Sequence, residues 1–138
     1  MSLMTSLYTR PTIYMLFLLC GITSIVSHAE EALPSAYIEL KPDFVVNHLG
    51  SDARLKYIKT AISIRTDKTQ KTLIEENMPL VRDALVMFLS SRTTDQVTGA
   101  IAREKTREEA AIAVNNALQE ETGLSPIKDI LFASFVTQ

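Results

Sequence analysis

The apolar run Ile13-Tyr-Met-Leu-Phe-Leu-Leu-Cys-Gly-Ile-Thr-Ser-Ile-Val26 constrains this chain more than any other feature, because it withdraws the N-terminus from the part that folds. Its core is Ile13, Leu16, Phe17, Leu18, Leu19, Ile22, Ile25 and Val26. Arg10 lies just ahead as the one charged side chain before Glu30, with Pro11 separating it from the run. Ser27-His28-Ala29 follows, with small residues at the two positions a signal peptidase must admit, so cleavage is expected after Ala29. The run has 14 residues, whereas a helix crossing the hydrocarbon core needs about 20. Length therefore favours cleavage, yet Leu3 to Tyr8 extends the span if Arg10 is accommodated. Residues 1–29 are thus read as a signal peptide or a short membrane anchor, and export is the expectation either way. A lipid-modified Cys20 is disfavoured by the bulky Leu18-Leu19 before it, where such sites carry small residues.

The rest is long enough for one domain that buries roughly two-thirds of its unfolded surface. Residues 30–36 read as a polar linker and residues 37–138 as the domain. Tyr37 to His48 alternates as an extended segment, with Pro42 marking an edge position, a bulge or a break. Gly50 is expected to supply a positive φ in the turn that follows. From Leu55 to Arg65, Ile58, Thr60, Ile62 and Ile64 share one face, and Lys59 and Arg65 lie on the other. This period of two describes a half-buried strand, hairpin-paired with its predecessor.

The period then changes. Leu73, Ile74, Leu80, Val81, Ala84, Leu85 and Phe88 recur at helical spacing, and Pro79 predicts either a kink or a second helix beginning near it. Thr93, Thr94 and Asp95 offer an N-cap, and Gly99 a bend. A helix is expected over Arg103 to Glu121, with stripe Ala111, Val114 and Leu118, stopped at Gly123 with Pro126 beyond. Thr106 with Glu109 fits a capping box there, or lies mid-helix if the helix starts near Gly99. Ile127 to Gln138 carries apolar side chains on both faces, as a central strand covered by helices would. The order predicts an α+β fold: a small antiparallel sheet packed against helices.

Little of this points to chemistry. The net charge is −2, with no basic footprint for nucleic acid. Cys20 is the only cysteine, so no disulfide can form within the chain. His28 leaves with a cleaved signal, and His48, alone at a strand end, reads as an ordinary surface or edge residue. A metal or nucleophile–base site needs several converging groups. The pairs Glu75-Glu76, Glu108-Glu109 and Glu120-Glu121 point about 100° apart on a helix and suit solvated faces. Arg103, Lys105 and Arg107 interleave with Glu104, Glu108 and Glu109, as in a solvated face or a partner contact. A small exported hydrolase lacks a visible nucleophile with a base. Catalytic, cofactor-binding and metal residues are therefore expected to be none.

A series of short motifs suggests a family: Pro42-Asp-Phe-Val-Val-Asn47, Leu55-Lys-Tyr-Ile-Lys59, Glu76-Asn-Met-Pro-Leu-Val-Arg-Asp-Ala-Leu85, Leu89-Ser-Ser-Arg-Thr93, Arg103-Glu-Lys-Thr-Arg-Glu-Glu109, Val114-Asn115 and Leu131-Phe-Ala-Ser-Phe-Val-Thr-Gln138. In this order, across 37–138, the chain resembles the FliL family of flagellar basal-body-associated proteins. The resemblance implies an inner-membrane protein with a periplasmic domain similar in fold to the stomatin/prohibitin domain. It implies homo-oligomeric rings around MotA–MotB type stator proteins that support torque and motility without enzymatic activity; a cleaved signal would leave the domain soluble in the periplasm. A stomatin-like periplasmic membrane scaffold without a motility role is the alternative. Thr106 departs from a usual leucine, and the short N-terminal run departs from the family's basic cytoplasmic segment and full-length anchor. Phe44, Val46, Ile62, Phe132 and Val136 are expected in the core. Pro79, Arg82 and Asp83 are expected to shape a helix start or a subunit contact.

Overall fold

The computed structural model describes residues 33–138 apart from 51 and 53, so the expectations for 1–29, the cleavage point at Ala29 and linker residues 30–32 lie outside the described residues, while Ser35 and Ala36 of the expected linker already belong to the first strand. Two long strands come first, β1 (Ser35–Leu49) and β2 (Leu55–Asp67), paired antiparallel. Pro42 interrupts their pairing: the register shifts between Leu40 and Phe44, which puts the residue without an N–H donor in a bulge on an edge strand. The turn between the strands forms without a positive φ at Gly50. A Cβ there would sit 2.8 Å from Asp52 Oδ1 and 2.9 Å from Lys56 Cε, the ends of two flexible side chains that a larger residue would have to displace.

After a single 3-10 turn come α1 (Lys71–Glu76) and α2 (Met78–Ser90), so Pro79 marks a new helix and not a kink. It occupies the first turn, where its missing N–H breaks no intrahelical bond. The short α3 (Thr94–Val97) starts at Thr93, whose N–H donates to Gln96 Oε1 at 2.9 Å. Gly99, at φ 91, turns the chain into α4 (Ala100–Thr122). Thr106 is therefore mid-helix. Gly123 stops α4 in the left-handed conformation, φ 75, which an L side chain adopts only with strain.

The last strand, β3 (Ile127–Thr137), pairs antiparallel with β2, in the sheet order β1-β2-β3. The central strand is thus β2, and the expectation that 127–138 would be central is corrected. The cause is two register shifts in β3, between the partners of Arg65 and Thr66 and between those of Ala61 and Ile62. Each extra residue reverses which parity faces inward. Ile127, then Ile130 and Phe132, then Phe135 turn to the helices, so apolar residues fall on both parities of one strand. The same shift turns Val136 outward, 46% exposed, correcting its assignment to the core.

The helices cover one face of the sheet. Ile38, Leu40, Phe44 and Val46 of β1 and Ile58, Ile62 and Ile64 of β2 pack against Ile74, Val81, Leu85, Leu89, Val97, Ala110, Val114 and Leu118. Each such aliphatic side chain contributes about 1.5–3 kcal/mol by leaving water. Two buried threonines of β2 are satisfied: Thr60 Oγ1 donates to Ser134 O and Thr66 Oγ1 to Pro126 O, both at 2.6 Å. The other face carries Tyr37, Val45, Tyr57, Lys59 and Val136.

Candidate functional site

The motif residues read from the sequence are joined in pairs by the fold. Arg82 on α2 reaches the β1 bulge, where Nη2 donates to Pro42 O at 2.9 Å and the guanidinium lies 4.2 Å from the Phe44 ring centroid. A cation over an aromatic face and a charged donor on a carbonyl both fasten helix to strand. Pro79 shapes the helix start as expected, whereas Asp83 is exposed. Arg92, two residues past α2, stacks 4.3 Å from the Phe88 ring and donates from Nη1 to Glu109 Oε2 of α4 at 2.6 Å. Thr106 Oγ1 donates to Gln96 O at 2.7 Å, so α3 is tied to α4 by the hydroxyl that stands in place of an apolar side chain.

The densest group lies where α4 meets the outer edge of β3. Asn115 pairs with the backbone of Ile127 in both directions: Nδ2 donates to its O at 2.8 Å, and Oδ1 accepts from its N at 2.9 Å. About two turns earlier, Arg107 Nη1 bonds Asp129 and donates to Ile130 O at 3.3 Å, while Ile130 N donates to Asp129 Oδ1 at 2.9 Å. Arg65 Nη2 approaches Asp129 Oδ2 from β2 at 3.6 Å. Glu104 completes the group by accepting from Arg107 Nε at 3.0 Å. That hydrogen bond holds the Glu104 carboxyl below its ordinary value of 4.5 and raises the Arg107 guanidinium. At Ile127 and Ile130 these side chains occupy backbone groups that an edge strand otherwise offers to another chain. An open cleft of about 450 Å³ lies beside them.

His48 departs from expectation. It is buried, with 2% of its surface exposed, and among the described residues neither ring nitrogen has a hydrogen-bond partner. The irregularity at Pro42 adds two residues to β1 and so preserves its parity: His48 falls on the inward face with Ile38, Leu40, Phe44 and Val46, and that shared parity was the sequence signal for its burial. The carboxylate pairs do lie on helices, with Glu75 near Lys71 at 3.6 Å and Glu109 held by Arg92. Among the described residues no group of three metal-ligating side chains converges, and no helix is long and apolar enough to cross a membrane. The C-terminal motif closes onto β2: Tyr57 and Gln138 exchange backbone hydrogen bonds of 3.0 Å each, and the Tyr57 hydroxyl bonds the Gln138 side chain.

Fold and ties together define a small α+β domain: a three-stranded antiparallel sheet with one helical layer, whose polar side chains between elements maintain shape. Residues 37–138 match the family described as flagellar basal body-associated protein FliL, and the chain belongs to that family. It is also similar to the Flagellar protein FliL of Aquifex aeolicus (strain VF5), 26% identical over 101 residues, covering 72% of this chain. The match spans 60% of that relative's length.

Proposed function

We propose that this chain is a non-catalytic accessory of the flagellar basal body that assembles as a ring around a MotA–MotB type stator and supports torque in swimming and swarming. In this reading residues 1–29 export the chain as a signal peptide or short anchor. Residues 37–138 then work at the periplasmic face of the inner membrane, in a fold of the stomatin/prohibitin kind. The observation that carries it is the family match, which spans the three strands and four helices from Tyr37 onward. The site supports it as well. Its charged and amide side chains are consumed in fastening α2 and α4 to the sheet, as suits a part that transmits or resists force. Deleting the gene and measuring swimming at low and at high viscosity tests the reading. A restorable defect that grows with load is expected; equal swimming at both loads, with no paralogue to compensate, would sink it.

A further inference from the structure

The helix α4 carries a second pattern that folding of the domain leaves unused. Its inner face is Thr106, Ala110, Val114 and Leu118. On the opposite face stand Ile101, Lys105, Glu108 and Ile112, spaced four, three and four residues apart, all exposed. Ile101 is 89% and Ile112 60% exposed, which is unusual for two isoleucines on one helix face. The spacing is that of the a and d positions of a coiled-coil seam. It covers three turns, about 16 Å at 1.5 Å per residue.

We propose that this face pairs with the same face of a second copy, α4 antiparallel to α4 about a two-fold axis. The charge order singles out this occupant. From N to C the seam reads apolar, positive, negative, apolar, so a reversed copy is its complement. Ile101 meets Ile112 of the second copy, and Lys105 meets its Glu108, in four layers generated by symmetry. A parallel pair sets Lys105 on Lys105 and Glu108 on Glu108, which repel. The acids flanking the seam are already neutralised within the chain, Glu104 by Arg107 and Glu109 by Arg92. Lys105 has only a loose contact to Glu109, 3.8 Å, to exchange. A ring uses head-to-tail contacts, so this two-fold surface is separate from it, and the proposal stands or falls independently of the stator reading. A four-layer seam belongs with weak, transient interfaces, and the test is made on the full chain at its natural density.

In a Cys20→Ser background, one tagged chain carries Ile101→Cys and a second carries Ile112→Cys. Co-expression is expected to give a disulfide-linked pair of the two tags, and either chain alone little. The antiparallel seam separates two copies of position 101 by about 16 Å, beyond the roughly 7 Å that a disulfide spans between Cα atoms. Linking of Ile101→Cys chains to themselves, or no linking at all, overturns the proposal. Charge exchange checks the register without touching the core. With the cysteines in place, Lys105→Glu or Glu108→Lys alone should lower the linked fraction about tenfold, as like charges across an interface do. The double exchange should restore it. Failure of the double variant to recover, with each single variant folded, would equally defeat the antiparallel register.

Discussion

Near the end of β1 the side chain of His48 is enclosed with both ring nitrogens unpaired among the described residues. An imidazole taken out of water without a partner costs about 1–3 kcal/mol. Leucine fills a similar volume with no polar atom to satisfy. His48→Leu is therefore expected to stabilise the folded domain by about 1 kcal/mol, raising its melting temperature by roughly 4–8 °C. Thermal unfolding monitored by circular dichroism checks this, and a lowered midpoint would show that the ring makes a bond worth keeping. Thr106 is the opposite case. From the sequence it looked like a loss of apolar face, yet its hydroxyl is paired with Gln96 O, so the polar atom is used. Residue identity alone did not separate the two, because a hydrogen-bond partner is a property of the fold.

Among the elements, β3 shows most clearly what periodicity reveals and conceals. Its existence and approximate bounds were legible, as were β2 with its inward Ile58, Thr60, Ile62 and Ile64 and the helix break at Pro79. Its position was not, because two extra residues reverse the parity twice and imitate a strand covered on both faces. An edge position raises the question of what protects the outer edge, and Asn115 answers it for Ile127. Asn115→Ala removes both hydrogen bonds and leaves that N–H and C=O to find water in a half-buried place. The expected loss is about 1–3 kcal/mol, with faster amide exchange at Ile127 and little change at Ile58 in the central strand. Hydrogen exchange followed residue by residue distinguishes this from a general loss of stability, which would quicken both sites alike.

Considered whole, the molecule has a described part whose motifs are ties between elements and carry the family match, and an apolar N-terminal run on which the proposed placement depends. The ties explain why short and individually weak motifs occur together: Pro42 with Arg82, Arg92 with Glu109, Arg107 with Asp129, and Tyr57 with Gln138 are pairs distant in sequence and adjacent in space. No periodicity argument could match them, since periodicity reads one element at a time. The placement of the domain rests on Ile13–Val26 and is tested apart from both cleavage and motility. Alkaline phosphatase, which needs disulfides and so works only outside the cytoplasm, is fused through a linker after Gln138. The expected result is an active fusion whose activity disappears when residues 13–26 are deleted, whether or not the chain is cut after Ala29. Activity that survives the deletion would mean that another segment directs export. An inactive fusion, paired with a fluorescent cytoplasmic reporter that lights up at the same position, would put the domain on the wrong side of the membrane for the proposed role.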